Sequence, residues 1–198
     1  MNFNGVKKMM LQKLKDELPS HLTYHNLSHV LDVIKVTEET AKSEGIKGDN
    51  LTLLRTAALF HDSGFIEGPK NHEEVSCNIA QKILPQFDYT QDQINIIKGI
   101  IMATKIPQTP HNHLEKIIGD ADLDYLGRDD FYSIGNGLFE ELKHFGVITN
   151  KTEWNLIQKN FIEAHTYHTP TALTNRDQKK RKHLEAIKAE LEKLMNKL

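Results

Sequence analysis

Apolar residues recur at helical spacing along almost the whole chain. They fall three and four residues apart, as on the buried face of an amphipathic helix, and no segment shows the strict alternation of a half-buried strand. The pattern predicts helices at about 6–18, from 26 or 28 to 45, and at 50–61, 72–84, 91–103, 114–126, 129–145, 151–164 and 176–198. The sequence therefore predicts an all-α fold.

Local residue types support these boundaries. Asn26 and Ser28 are good N-cap residues for the second predicted helix. Residues 63–71 and 105–112 contain glycines or prolines and are predicted to be loops. There is no internal repeat, low-complexity segment or obvious linker, so we expect a single domain over residues 1–198.

Composition narrows the classes of function. The formal net charge is −2 with 26% charged residues, and no basic stripe is present, so we expect no nucleic-acid partner. No apolar run approaches the roughly 18–20 residues of a membrane span. The first residues lack the apolar core of a signal peptide, so we expect a cytoplasmic protein without a membrane partner. A homodimer is left open.

Candidate chemistry begins with an adjacent pair, His61 and Asp62, which ends an apolar helix directly before a glycine loop. Neighbouring helical side chains point about 100° apart, so both can reach one ion only at a helix end or inside a tight bundle. Burying two ionisable groups is costly, and a metal ion would offset that cost. The alternative is a structural hydrogen bond between the two side chains near a helix cap.

Two further segments carry potential ligands. His25 and His29 stand four residues apart at a helix start, and they share a face if the helix includes His25. Asp120, Asp122 and Asp124 lie within five residues on an otherwise apolar segment. Helix bundles commonly build metal sites from side chains on facing helices, so these segments and the His-Asp pair could form one site.

The combined pattern H…HD…D resembles that of the HD superfamily of metal-dependent phosphohydrolases, over about residues 20–130. His29 looks like the first histidine of that pattern, and His61 with Asp62 looks like the HD pair. Asp122 looks like the distal aspartate, because Ala-Asp-Leu-Asp-Tyr-Leu-Gly is similar to the family's distal segment; its two neighbouring carboxylates are the competitors. The segment Tyr-His-Asn-Leu-Ser-His that starts at Tyr24 is also similar to the metal-site entrance of cyclic-nucleotide phosphodiesterases.

The resemblance implies a helical bundle of the HD type, with its core in about 20–130 and C-terminal helices in about 128–198. It implies metal ligands at His29, His61, Asp62 and Asp122. Imidazole and carboxylate ligands suit Mn, Fe, Co, Ni or Zn.

The implied activity is hydrolysis of a phosphate monoester or diester of a small molecule, such as a nucleotide, by a metal-activated water. Asp62 would orient that water. His25 would protonate the leaving group, as the matching position does in the phosphodiesterases.

The pattern departs from that of two-metal relatives, which carry two more histidines before the distal aspartate. His72 looks like the first of them, but Thr104 stands about where the second would lie. We therefore expect one metal ion and leave a second, at His72, open. The alternative for His72 is a plain helix-start residue beside Glu73 and Glu74.

Weaker candidates come from other segments. Glu67, in the loop after the His-Asp pair, is a possible catalytic acid. Arg176 and Lys180 share a face of the last predicted helix and could bind phosphate, although solvated basic residues are the alternative. Cys77 is predicted to be a core residue, and Trp154 is predicted to belong to a core stripe, not to a base-stacking platform.

Two other functions are kept beside the hydrolase. One is a non-catalytic nucleotide or metal sensor that retains the HD fold. The other is a di-iron oxygenase of the HD type, against which the missing second histidine counts.

Overall fold

The computed structural model describes residues 1–195, with the side chain of the last of them left out. In that range it contains no strand and the following α-helices: α1 Phe3–Glu17, α2 Leu27–Ser43, α3 Gly48–Phe60, α4 His72–Ile83, α5 Gln91–Met102, α6 His113–Asp122, α7 Phe131–His144, α8 Lys151–Ala164 and α9 Pro170–Met195. The predicted all-α fold is therefore confirmed. None of these helices is both long and apolar enough to cross a membrane.

The chain divides into two compact units, Met1–Asp122 and the part that begins at Leu123. The first unit contains α1 to α6, and the second contains α7 to α9. The expectation of one domain over residues 1–198 stays a prediction.

Helix α3 lies at the centre of the first unit, where it packs against α1, α2, α5 and α6. Its last four residues, Ala57 to Phe60, are all apolar, and every residue from Thr56 to Phe60 is buried. A helix without a polar face must be enclosed by its neighbours, because otherwise it would expose apolar surface to water. This core therefore carries the end of α3, and with it His61, into the interior.

The second unit is built around the pairing of α8 with α9. Tyr167, in the connection between them, is 2% exposed, and its hydroxyl donates to the Leu123 carbonyl at 3.2 Å. The Lys180 ammonium donates to the His165 carbonyl at 2.6 Å, at the end of α8. A small apolar cluster forms around Phe139, to which Ile148 and Trp154 belong.

Two predicted helix boundaries were wrong. The helix predicted over 114–126 ends at Asp122, and a short 3₁₀ helix, Asp124–Gly127, follows. The last helix begins at Pro170 and not near 176, because the Thr169 hydroxyl accepts from the Ala172 amide while proline occupies the first helical position. Its predicted end at 198 lies outside the described residues.

We expect the Ile97→Ala substitution in α5 to lower the free energy of unfolding by about 2–5 kcal/mol, because it leaves a cavity in the core. Ile97 is 0% exposed and its neighbour Ile96 is 46% exposed. Ile96→Ala is a matched control with the same change in helix propensity, and it should cost about 0.5 kcal/mol or less. Urea unfolding of both variants measures the difference. Equal losses would contradict the burial of Ile97 in the core.

Candidate metal centre

Two imidazoles and one carboxylate from three helix ends meet in the first unit. The Nε2 atoms of His29 and His61 lie 3.3 Å apart. The Asp122 Oδ1 atom lies 3.2 Å from His29 Nε2 and 3.4 Å from His61 Nε2. Among the described residues, these three form a group whose potential ligand atoms all lie within 4.8 Å of one another.

The ligand atoms of His29, His61 and Asp122 form a triangle. Asp62 lies against two of its corners, the Nε2 atoms of the two histidines. Its Oδ2 atom is 3.1 Å from His61 Nε2 and 3.3 Å from His29 Nε2. The same oxygen is fully buried, and within residues 1–195 it accepts no hydrogen bond of good geometry. A buried carboxylate oxygen without such a bond costs free energy, and a cation would remove that cost.

The spacing of these atoms fits a metal ion. For metal–ligand distances of about 2.0–2.2 Å, neighbouring ligand atoms lie about 3.3–3.6 Å apart around a tetrahedral ion and about 2.8–3.1 Å apart around an octahedral ion. The triangle has sides of 3.2, 3.3 and 3.4 Å, close to the tetrahedral spacing and slightly longer than the octahedral one. We conclude that the residues present fit a divalent transition metal.

The position of His29 is set by the start of α2. The Asn26 side chain caps this helix by accepting hydrogen bonds from the Ser28 and His29 amides. The cap places His29 in the first turn of α2 and leaves His25 outside the helix. The two histidines therefore do not share a helical face, although their ring centroids lie 6.2 Å apart.

The position of His61 is set by the end of α3. Its Nδ1 atom lies 2.9 Å from the Ala58 carbonyl, and because a carbonyl only accepts, Nδ1 must carry the proton of this hydrogen bond. A neutral His61 then has its lone pair on Nε2. This atom faces the other members of the cluster, which are His29, Asp62 and Asp122. Such a bond to a backbone carbonyl is the usual way to orient a metal-binding histidine.

The turn after Asp62 is pressed against the start of α4. A Cβ atom on Gly64 would lie 2.0 Å from the His72 carbonyl oxygen, so only glycine fits. The buried Ser76 hydroxyl donates to the His61 carbonyl at 2.7 Å and accepts from the Gly64 amide at 2.8 Å. These contacts join α4 to the His-Asp turn.

The charges in the cluster shift each other's protonation. Burial by itself would lower the pKa of His29, but Asp122 and Asp62 outweigh it and raise that pKa to about 9. The pKa of His61 is also raised well above its usual value, against the effect of burial, mainly by Asp62. The imidazoles in turn lower the pKa of Asp122 to about 2, although burial alone would raise it.

His25 and His72 both contact the buried ring of Phe65. The His25 imidazole stacks on Phe65 with ring centroids 3.9 Å apart, and the His72 ring lies 4.3 Å from Phe65. His72 Nε2 is 3.5 Å from Asp62 Oδ1, the oxygen that does not face the triangle. His72 therefore lies beside the cluster and contacts it through the Asp62 carboxylate.

The two competitors of Asp122 have other environments. Asp124 belongs to the second unit, where Arg176 Nε donates to its Oδ1 at 2.7 Å and Arg128 lies 3.6 Å from its Oδ2. Asp120 is 1% exposed, and among the described residues it is not part of the metal-ligand group.

The weaker candidates are placed as follows. Glu67 is exposed and ends the 3₁₀ helix Ser63–Ile66. Arg176 is paired with Asp124, and Lys180 is 4% exposed, with its ammonium bonded inside the second unit. Their predicted roles in binding a substrate stay predictions. Cys77 is buried, and burial raises the pKa of its thiol to about 11, which argues against a nucleophilic role.

Three positioning residues escaped the sequence analysis: Phe65, Gly64 and Ser76. Each acts through a contact with a residue that is 8 to 40 positions away in the chain. The sequence signal was weak, because a glycine and a phenylalanine in a predicted loop and a serine in a helix are common without any role.

Comparison with known proteins identifies the family of this chain. Residues 26–125 match the HD domain family model, about half of the chain. The protein belongs to the HD domain family, whose members bind metal ions.

Two individual proteins are similar to it. An uncharacterized protein of Clostridium beijerinckii is 35% identical over 81 residues, which cover 39% of this chain and 51% of that protein, so the match spans about half of that relative's length. A crystal structure from an uncultured Thermotogales bacterium, described as a predicted HD superfamily hydrolase, has a TM-score of 0.63 at 19% identity and covers 94% of this chain and 92% of that one. This second likeness shows a shared fold.

We expect the affinity of the cluster for Mn²⁺ to rise as the pH rises from 6.5 towards 9. In the metal-free protein the pKa of His29 is about 9, so below that pH a metal ion must displace a proton from it. For each proton that the metal displaces, the apparent affinity for Mn²⁺ should rise about 10-fold per pH unit. This dependence should become flat once the pH exceeds the raised pKa of His29. Titration against a competing chelator at pH 6.5, 7.5 and 8.5 measures this. A flat profile would show that no imidazole proton is displaced.

Proposed function

We propose that this protein is a metal-dependent phosphohydrolase that cleaves a phosphate monoester or diester of a small molecule, such as a nucleotide. The observation that carries the proposal is the group of His29, His61 and Asp122 at one buried point, with Asp62 against it. Membership of the HD domain family supports it. Two imidazoles and two carboxylates are a ligand set used for hydrolysis of phosphate esters by transition metals.

The four clustered side chains would hold one divalent ion. When bound, such an ion polarises a phosphoryl oxygen and activates water near neutral pH. Asp62 has one oxygen towards the triangle and the other away from it, so its outer oxygen can accept a proton or a hydrogen bond from an attacking water. The Ala58 carbonyl and the Asn26 cap would keep the two imidazoles in place during turnover.

His25 is the residue that we propose as the proton donor. It lies outside α2, half-buried, and its ring is held against Phe65 in a stacked contact with an interplanar angle of 16°. A ring held in this way does not need the cluster to orient it, so its nitrogen can deliver a proton to the oxygen of the departing group. General acids of this kind contribute about 10²–10⁴-fold in rate.

The proposal also allows a second, more weakly bound ion beside His72. The Oδ1 atom of Asp62 faces His72, and the buried Glu73 places its Oε1 atom 3.5 Å from His72 Nε2. In the described residues Thr104, where two-metal relatives have a histidine, donates its hydroxyl to the Ile101 carbonyl. We therefore propose one tightly held ion, with any second ion bound more weakly on the His72 side.

A small phosphate ester is the partner that we propose. The net charge of −2 gives no general attraction for a polyanion, so nucleic acid and anionic membranes are not the proposed partners. A cytoplasmic location is part of the same proposal.

The metal content of the purified protein tests the proposal. Asp122→Asn should lose at least half of the transition metal bound by wild type, because it removes a ligand charge from the triangle. Asp124→Asn is the matched control, since that carboxylate is paired with arginines in the second unit, and it should retain the metal. Elemental analysis after Mn²⁺ or Fe²⁺ loading gives the answer. The reverse order of loss would move the distal ligand to Asp124.

Hydrolytic activity should depend on the bound metal ion. A screen of phosphate monoesters and diesters should find activity that disappears in a His61→Ala/Asp62→Ala double variant. Metal binding without turnover on any ester would instead support a sensor, and a mixed-valence iron spectrum from anaerobic protein would support a di-iron oxygenase.

His25→Ala should lower kcat about 10²-fold or more and leave the metal content within about 20% of wild type. The reason is that His25 is placed as a proton donor and not as a member of the ligand triangle. Esters with a good leaving group, such as p-nitrophenyl phosphates, should be affected least, because their departing oxygen needs no proton. Loss of metal in this variant would make His25 a ligand and contradict its role as the acid.

A further inference from the structure

His25, the proposed proton donor, lies in the turn before α2. The Asn26 amide donates to the Tyr24 carbonyl at 2.8 Å, and the Asn26 side chain caps α2, which begins at Leu27. These bonds fix the backbone around His25 but not the direction of its ring. A proton donor works only when its nitrogen is held within hydrogen-bond reach of the departing oxygen. The side chains that pack against the imidazole therefore bear on its function.

Phe65 packs against the face of this imidazole. The two ring planes are 16° apart and their centroids are 3.9 Å apart, so the contact is face to face. Phe65 is 3% exposed, and it follows Gly64, which is pressed against the start of α4. The turn that carries Phe65 is fixed in this way. Its ring is therefore a rigid surface for the His25 imidazole.

Tyr24 makes a second aromatic contact with His25. Its ring meets the imidazole nearly at a right angle, with centroids 4.7 Å apart and an interplanar angle of 82°. The same Tyr24 ring lies 4.7 Å from the ring of His29, at an angle of 32°. Tyr24 is 7% exposed, so its ring is held in the interior. One buried ring thus contacts both the proposed proton donor and a proposed metal ligand.

The shared contact of Tyr24 matters because helix geometry does not relate the two histidines. His29 lies in the first turn of α2 and His25 lies outside that helix, so the two do not share a helical face. Their ring centroids are 6.2 Å apart, and the Tyr24 ring packs against both. Tyr24 therefore sets the place of His25 relative to the metal centre, and Phe65 sets the orientation of its ring.

From these contacts we propose that the rings of Tyr24 and Phe65 form an aromatic clamp that positions His25 for protonation of the leaving group. Both are positioning residues, which act through His25 and contribute neither a proton nor a metal ligand. Protonation matters most when the departing oxygen is a poor leaving group. The clamp therefore determines how well the protein cleaves esters of poor leaving groups. This inference rests on the proposed function.

Leucine substitutions remove the rings and keep an apolar side chain. In Tyr24→Leu and Phe65→Leu, kcat for phenyl and alkyl phosphates should fall about 10-fold or more, because the proton donor is no longer oriented. In the same variants kcat for p-nitrophenyl phosphate should stay within about 2-fold of wild type, because that departing oxygen needs no proton. Their metal content should equal that of wild type.

Two further variants serve as controls. Tyr24→Phe keeps the ring and should retain the wild-type rates on every ester. Phe3→Leu makes the same change as Phe65→Leu in the core of α1, where Phe3 is 7% exposed and packs under Arg55. It should leave the ratio of rates on poor and good leaving groups unchanged. Thermal unfolding confirms that each variant is folded.

The spectrum of the histidine rings tests the clamp without turnover. Protons above the face of an aromatic ring are shielded, so ring protons of His25 should resonate upfield of those of an exposed histidine. The spectrum is recorded on histidine-labelled protein loaded with Zn²⁺, which is diamagnetic, and His25→Ala assigns the signals. Phe65→Leu should move them downfield, whereas Phe3→Leu should leave them in place.

The outcomes separate the clamp from the hydrolase. Equal losses of kcat on good and poor leaving groups in the leucine variants would overturn the clamp. Rates for Tyr24→Phe as low as those for Tyr24→Leu would also overturn it, because the ring would not be the acting group. Loss of metal from Tyr24→Leu would show that the residue acts through His29 instead. If wild type hydrolyses no ester, the proposed function fails, and the role of the clamp in protonation fails with it.

Discussion

The structure of the first unit depends on the burial of two carboxylates beside two imidazoles. Asp62 and Asp122 are held in their charged forms in the interior, which is unfavourable unless positive charge is supplied nearby. Without a metal, protons on the histidines supply that charge, and this is why their pKa values are high. A divalent cation brings the same charge as two such protons. The cluster can therefore exchange protons for a metal without leaving a buried charge uncompensated.

This arrangement also explains why helix ends, and not helix middles, carry the ligands. His29 lies in the first turn of α2, His61 directly follows α3, and Asp122 is the last residue of α6. At a helix end the side chain and the free backbone groups can turn towards the same point. The Asn26 side chain accepts from the free His29 amide, and the free Ala58 carbonyl accepts from the His61 ring. The same hydrogen bonds therefore end the helices and orient the two histidines.

Much of the fold could be predicted from the sequence because helical periodicity is a local property. The start of the last helix was predicted wrongly, because it depends on a capping residue and not on helical periodicity. The Thr169-Pro170 pair is a cap followed by a first helical residue, but the polar segment around it has the composition of a loop. The choice among Asp120, Asp122 and Asp124 could not be made from spacing. It depends on which of them faces two distant histidines and which meets Arg176, and the family resemblance supplied the preference for Asp122.

The carboxylate of Asp62 has a consequence for how this protein would respond to cations. One oxygen faces His61 and His29, and the other faces His72. The carboxylate is a rigid planar group, so a rotation that improves contacts on one side must change them on the other. Cations bound on the two sides would then be thermodynamically linked, and each would change the affinity of the other by the same factor.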